Sequence, residues 1–262
     1  MISVITPTHN TDPKVLARTF ASLKNQTYAD WEWVVWDDST HDGPWNQLWG
    51  MCSDERHRIR PYRGMTYNGP IGAVKRNAFM VATGDILVEL DHDDELTPNA
   101  LQEIYDAFEQ HPVGFVFSDW CEINDDGLSC RYPEGWAFGY GSDYWDDEHA
   151  VWVMKSPKIN RTTMSHIVSV PNHVRAWRAD CYRDLGGHNP DMPVADDYEL
   201  LVRTFLDYDW FHIQKMLYVQ HIGDTAQRRH NGLIQDLVMQ VSEQYSMALN
   251  VRFGTFEGIR DE

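Results

Sequence analysis

Through residues 1–120 the chain alternates short apolar runs with segments of helical period. Ile2 to Thr6 is a β-branched run that stops at Pro7, and Trp31 to Trp36 is a second run, ending in Asp37-Asp38-Ser39. Both predict short buried strands. Between them Asp12-Pro13 supplies an N-cap and a first-turn proline, and Leu16, Phe20 and Leu23 share one helical face. Arg58 to Tyr62 reads as a third strand and Ala73 to Ala82 as a helix closed by Gly84. Ile86 to Leu90 reads as a buried strand running straight into Asp91-His92-Asp93-Asp94. A helix from Thr97-Pro98 to about His111 and a strand from Gly114 to Trp120 complete this half. The rhythm predicts an α/β fold with a mostly parallel central sheet flanked by helices. Ligands of such sheets bind at the carboxyl ends of the strands. The polar clusters Pro7 to Asn10, Asp37 to Thr40 and Asp91 to Asp94 all fall at those ends.

The second half is less regular. Asn124-Asp125-Asp126-Gly127 has the composition of a hairpin turn. Arg131 to Ser165 is rich in Gly, Trp, Tyr and Asp but has no period; long irregular stretches in compact domains are usually functional or disordered, and the aromatic content favours function. Short helices are predicted at Arg178 to Leu185, stopped by Gly186-Gly187, and at Ala195 to Leu206. Two strand-like pieces, Trp210 to Ile213 and Leu217 to Ile222, precede a closing amphipathic helix from about Leu233.

Composition narrows the picture. A chain of 262 residues suits a single α/β domain with its own core. Its net charge of −18 would repel a polyanion, which disfavours nucleic acid as a general partner. Cys52, Cys121, Cys130 and Cys181 show no CxxC spacing and read as free thiols of a reducing compartment. A strand pattern that begins at Ile2 leaves no signal peptide, and no apolar run approaches the ~20 residues of a membrane span. A soluble, cytoplasmic protein is expected.

Several residues could carry chemistry. Carboxylates alternating over Asp91 to Asp94 can share one hard cation, which takes oxygen ligands and neutralises a diphosphate. Read as plain structure, the same run is an acidic turn ahead of the helix at Pro98. Lys75 and Arg76, in a helix opening at Gly72, either hold a pyrophosphate or are solvated helix residues. Asp197 is either a general base or a carboxylate favoured by a helix start. His221 is a surface residue or a non-carboxylate ligand of the cation. Trp136, Trp145 and Trp152 offer faces on which an acceptor sugar would stack, or else form a lid packed on the core.

Laid out in order, these pieces resemble the family 2 inverting glycosyltransferases, of GT-A Rossmann-like fold. The match runs through Ser3-Val-Ile-Thr-Pro-Thr-His-Asn10, Ser22-Leu-Lys-Asn-Gln-Thr-Tyr28 and Trp33-Val-Val-Trp-Asp-Asp-Ser39. It resumes at Arg76-Asn77, Ala82-Thr-Gly-Asp85 and Asp91 to Asp94, and returns at Leu185-Gly-Gly187, Asp196-Asp-Tyr-Glu-Leu200, Arg203 and His221.

The resemblance implies roles position by position. Pro7, Thr8 and His9 match the loop that packs on the nucleotide, His9 replacing a commoner tyrosine. Asp38 matches the carboxylate that binds the base, usually uracil, and Arg76 a phosphate-side arginine. Asp91 and Asp93 match the ends of the DxD motif, with Asp93 or its neighbour Asp94 on a Mn²⁺ or Mg²⁺ ion. His221 matches a histidine that in some members contacts the metal or diphosphate, and Asp197 matches the catalytic base. Asp196, a candidate acceptor-side residue, stands where the family carries glutamate, and Arg131 to Ser165 matches no family segment. The implied division is a nucleotide-sugar half over 1–120, an acceptor and base half with a small antiparallel part over 121–230, and a C-terminal helix and tail over 231–262. The implied partners are a nucleotide-sugar, most readily a UDP-sugar, and a glycan, lipid-linked or other hydroxyl acceptor. A sugar nucleotidyltransferase would show a glycine-rich basic loop where Pro7 to Asn10 stands. A non-catalytic sugar-binding protein would not need both the cation cluster and the base.

Overall fold

The computed structural model describes residues 1–51, 57–64, 69–223, 226–255 and 260–261. The first half follows the expected rhythm: β1 (Ile2–Thr8), α1 (Pro13–Lys24), β2 (Trp31–Asp37), α2 (Asp42–Met51), β3 (Ile59–Arg63), α3 (Ile71–Met80) and β4 (Ile86–Glu89). The two-residue β5 (Glu95–Leu96), α4 (Ala100–Gln110) and β6 (Phe115–Ile123) follow. Beyond a 3₁₀ turn at Trp136–Gly139 come β7 (Ser142–Asp146), β8 (Val151–Lys155), α5 (Arg161–His166), β9 (Arg175–Arg178) and α6 (Ala179–Asp184). The chain closes with α7 (Asp196–Asp207), β10 (Trp210–His221), α8 (Ala226–Gln244), α9 (Ser246–Thr255) and β11 (Arg260–Asp261).

The sheet runs in the order β3-β2-β1-β4-β9-β6-β10-β11. Strands β3, β2, β1 and β4 are mutually parallel, as are β6, β10 and β11, while β9 lies antiparallel between β4 and β6. A hairpin of β7 and β8 joins β6 through Trp120 and Met154, giving the small antiparallel part. All seven residues of β1 are buried, as expected of a strand covered on both faces. Its side chains alternate between two cores: Val4 packs with Leu16 and Phe20 of α1 and Ile104 of α4, and Ile5 with Phe79 of α3 and Leu201 of α7.

The structure differs from the sequence expectation where charge masks periodicity. β9 has the sequence RAWR, yet Arg175 is buried in the middle of the sheet. β10 is one strand rather than two, because exposed Gln214 and Lys215 interrupt the apolar pattern while the backbone stays extended through a register shift. α2 carries Gly43, Pro44 and Gly50, residues that punctuate helices, but Pro44 lies in the first turn, where its missing N–H costs nothing. Within the stretch expected to be irregular, β7 and β8 form a surface hairpin whose Asp, Tyr and Trp side chains give a weak alternation. Cys121, Cys130 and Cys181 are free thiols, and Cys52 lies outside the described residues. Among the described residues no helix is long and apolar enough to cross a membrane.

One close approach ties the two halves together. The Gly72 N–H donates to the Met192 carbonyl at 3.1 Å, and a Cβ at Gly72 would lie 2.0 Å from the Asn189 carbonyl oxygen. Gly72→Ala therefore has to push the backbone before α7 away from α3. The expected loss is about 1–3 kcal/mol, the usual cost of overpacking, read from the urea midpoint. An unchanged midpoint would mean that this contact carries no stability.

Candidate functional site

The carboxyl ends of β1, β2 and β4 open into a cleft of about 430 Å³. Pro7, Thr8 and His9 line it from the end of β1, and Asp38 from the turn after β2. Asp91, Asp93 and Asp94 enter after β4, Asp196 and Asp197 from the start of α7, and His221 from the end of β10. Turns far apart in sequence thus meet on one rim.

Local bonding explains several of these placements. Asp37 Oδ1 accepts from the hydroxyls of Thr8 at 3.1 Å and Ser39 at 2.5 Å, joining the ends of β1 and β2. His9 Nδ1 lies 2.9 Å from the Asp38 carbonyl oxygen and so must donate, which leaves Nε2 to accept from the Asn10 side-chain amide at 3.1 Å. The imidazole is thereby fixed at the rim.

The acidic run after β4 divides by exposure. Asp94 is 2% exposed; its Oδ2 accepts from the Tyr218 hydroxyl and its Oδ1 from the His221 backbone N–H, both at 2.8 Å. Both oxygens are occupied in tying this turn to β10, and burial, reinforced by Asp91 and Asp93, pushes the Asp94 carboxyl well up. The side chains of Asp91 and Asp93 keep 32% and 38% of their surface exposed. All three line the cleft, and of the two neighbours weighed for the cation Asp93 is the one whose carboxylate is not tied up by Tyr218 and His221. His221 Nε2 lies 2.8 Å from Glu95 Oε1, which occupies one of its two ring nitrogens. Among the described residues no three His, Cys, Asp or Glu side chains converge as a ready-made metal shell. The carboxylate oxygens of Asp91 and Asp93 are the donor type a hard divalent cation takes, with further oxygens coming from phosphate or water.

Two other sets of candidate residues lie apart from this lining. Arg76 does not line the cleft. Ile71, Val74 and Lys75 do, because they share the face of α3 turned toward the sheet, and Arg76 lies a further 100° round the helix. The three tryptophans also lie outside the cleft lining. Trp136 packs edge-on to Trp120 and stacks on Tyr132 with ring centroids 4.3 Å apart, which makes it part of the packing. Trp145 and Trp152 form an edge-to-face pair on the β7–β8 hairpin, and the Arg131 guanidinium lies 3.9 Å from the Trp152 ring centre.

Along the cleft runs a chain of charges in which sequence reasoning missed Glu89 and Arg175. Lys75 Nζ lies 2.5 Å from Glu89 Oε1; Arg175 Nη1 lies 3.6 Å from Glu89 Oε2 and 2.6 Å from Asp197 Oδ2. Lys75, Glu89 and Arg175 are all buried. Burial alone would raise Glu89, but Lys75, His173 and Arg175 hold it well below the usual carboxylate range. Asp197, 22% exposed, is likewise raised by burial but held below its ordinary value by Arg175 and then Lys75. Asp196, beside it, has no such partner, and burial pushes it up to about 7. His173 stacks on Tyr218 and places Nε2 3.5 Å from Asp91 Oδ2. The available signal was Glu89 itself, a carboxylate inside the otherwise apolar strand ILVE.

The sequence profile of glycosyl transferase family 2 matches residues 3–184. The chain belongs to glycosyl transferase family 2. This family 2 chain is 29% identical over 228 residues to the O-antigen biosynthesis protein RfbC of Myxococcus xanthus, covering 86% of this chain and 16% of the relative. It spans 22% and 16% of the length of two of the curated relatives it matches, so the cleft corresponds to one part of those longer proteins. Among solved structures, S. aureus TarS in complex with UDP-GlcNAc superposes with a TM-score of 0.64 at 17% identity, covering 86% of this chain and 59% of that one. The mannosyltransferase PcManGT from Pyrobaculum calidifontis, in complex with GDP-Man and Mn²⁺, gives a TM-score of 0.61 at 17% identity, covering 96% and 68%. Both likenesses are of fold, and that fold is GT-A.

The Arg175–Asp197 pair can be tested without substrate. Arg175→Met leaves Glu89 and Asp197 short of a cation, and breaking such a pair costs about 3–5 kcal/mol. The Asp197 carboxyl is lowered in the folded protein, so the stability it contributes is complete above the unfolded value near pH 4 and is lost as pH falls through its lower folded value. The stability gap between wild type and Arg175→Met, measured by urea unfolding, should therefore be full at pH 7 and narrow only below about pH 4. A gap that does not depend on pH would assign the loss to packing alone.

Proposed function

We propose that this chain transfers a sugar, with inversion, from a nucleotide diphosphate sugar to an acceptor hydroxyl. The observation that carries the reading is the meeting in one cleft of the exposed Asp91 and Asp93 carboxylates with an ionised, arginine-held Asp197. Asp197 takes the proton of the acceptor hydroxyl as that oxygen attacks the anomeric carbon. The bond from carbon to diphosphate oxygen breaks, and its electron pair leaves with the nucleoside diphosphate. One displacement inverts the configuration.

Pro7, Thr8, His9 and Asp38 hold the nucleotide at the ends of β1 and β2, and UDP is the nucleotide that Asp38 favours by family likeness. Asp93, with Asp91 beside it and His221 across the cleft, would hold a Mn²⁺ or Mg²⁺ ion, which supplies positive charge to the departing diphosphate. The Mn²⁺ complex among the fold neighbours supports that choice. Lys75, on the cleft-facing side of α3, takes the place first given to Arg76 as the cation nearest the donor. The acceptor is a hydroxyl of a growing surface glycan, free or lipid-linked, in line with the name of the Myxococcus relative.

Asp197→Asn keeps the shape of the cleft and removes its proton acceptor. Transfer should fall by about 10²- to 10⁴-fold while the dissociation constant for UDP stays within a few-fold of wild type. Release of UDP from a panel of UDP-sugars, with and without oligosaccharide acceptors, provides the measurement; near-normal turnover would remove Asp197 from the chemistry. Asp93→Asn should instead weaken UDP binding only when Mn²⁺ is present. Calorimetry showing equal UDP affinity with and without Mn²⁺ in the wild type would sink the metal assignment.

A further inference from the structure

At the start of α7 two buried polar atoms face each other without partners. Asp196 Oδ2 and His188 Nε2 are 3.7 Å apart, just beyond hydrogen-bond length, and neither has another partner. His188 is completely buried and Asp196 is 2% exposed. The tautomer of His188 follows from Tyr182. The Tyr182 hydroxyl accepts the His188 backbone N–H at 3.2 Å and lies 2.7 Å from Nδ1; with the hydroxyl proton given to Nδ1, the ring proton is on Nε2. That N–H points at the Asp196 carboxylate.

The surroundings hold this arrangement. Gly187, at φ 71°, lets the Tyr182 ring approach, since a Cβ there would lie 2.8 Å from the ring. Arg203 of α7 donates to the carbonyls of Leu185 at 2.6 Å and Gly187 at 2.8 Å, fixing the turn that carries His188 to the helix that carries Asp196. Phe79 closes the other side, 4.9 Å from the imidazole between ring centres.

We infer that His188 is a positioning residue for the reaction: its Nε2–H holds Asp196 in the ionised form and aims it beside Asp197, the base. The inference rests on the reading of Asp197 given above. A negative Asp196 next to Asp197 restores proton affinity that Arg175 removes, and a protonated Asp196 does not. The charged and titratable groups facing the pair are Lys75 of α3, Glu89 of β4, Asp197 and Arg203 of α7, and Tyr182 of α6. Burial, partly offset by Lys75, pushes Asp196 up to about 7, whereas burial drives His188 down to about 3, so only Asp196 titrates near neutrality.

Two measurements test this on the full chain. The first needs no substrate: ¹⁵N-resolved NMR of the histidine rings should show His188 neutral with its proton on Nε2 from pH 8 to pH 5. The Nε2 proton shift should titrate near pH 7 in wild type and stay flat in Asp196→Asn. A charged ring, a proton on Nδ1, or a titration that survives Asp196→Asn overturns the pairing. The second is the pH profile of UDP release from whichever UDP-sugar the wild type turns over. His188→Phe should move the acid limb up by about one unit, a roughly tenfold loss below it, with UDP affinity unchanged. His188→Gln, which can present an N–H at the same place, should restore most of that loss. If His188→Phe keeps the wild-type limb, or if His188→Gln behaves like His188→Phe, the positioning role is overturned. If the wild type turns over no UDP-sugar, the transferase reading fails, and the NMR result still decides the pair.

Discussion

Glu89 has no exposed surface, and a carboxylate in that position needs counter-charge to exist in a folded protein. Its partners come from different parts of the chain, Lys75 from α3 and Arg175 from β9. Arg175 then reaches Asp197 at the start of α7. Satisfying one buried acid therefore sets the positions of a helix, an antiparallel strand and a second helix around the end of β4. An unpaired buried ion costs several kcal/mol, a large part of the 5–15 kcal/mol by which domains are usually stable. Arrangements that separate these elements are correspondingly excluded. The floor of the cleft is a folding constraint before it is a binding surface.

The same economy explains why neighbouring carboxylates behave differently. Asp93 and Asp94 are adjacent, yet Asp94 spends both oxygens on Tyr218 and His221, whereas Asp93 faces the cleft. Asp196 and Asp197 are adjacent too, with Asp197 paired to Arg175 and Asp196 buried without a cation in contact. In each pair one member is buried, Asp94 and Asp196, and the other, Asp93 and Asp197, keeps surface in the cleft. Pushing the proton affinities of neighbouring acids apart is how one site keeps distinct acid and base roles at neutral pH.

Much of this was legible in the sequence because it depends on strand ends. The apolar runs locate β1, β2 and β4, and residues following a parallel strand must emerge on one rim, so Thr8, Asp38, Asp91 and Asp93 were placed together correctly. What failed was side-chain direction and anything set by tertiary pairing. Lys75 and Arg76 differ by one residue, and only the packing of α3 on the sheet decides which of them faces the cleft. Arg175 sits in a strand whose two arginines hide its periodicity, and its partners lie 86 residues before and 22 residues after it in the chain. His188 and Tyr182 interact through a turn that only the Gly186-Gly187 pair hints at. The tryptophans of the middle segment divide in a way composition does not show: Trp136 packs on Trp120 and Tyr132, whereas Trp145 and Trp152 pair on the β7–β8 hairpin.

The residue that launches α7 shows how closely the site is drawn. Ala195 has φ 57°, in the left-handed region, with no side-chain cap, immediately before the two acids. A Cβ in that conformation costs roughly 1–2 kcal/mol. Glycine would remove the strain, but its greater loss of freedom on folding costs about 0.5–1 kcal/mol, so the net gain from glycine would be small. Alanine also buries its methyl in the second core, at 8% exposure, against the same elements that hold Phe79 and Leu201. The balance favours a slightly strained residue that can occupy one conformation over a relaxed one that can occupy many. That choice suits a position followed directly by Asp196, buried close to His188, and by Asp197, bonded to Arg175.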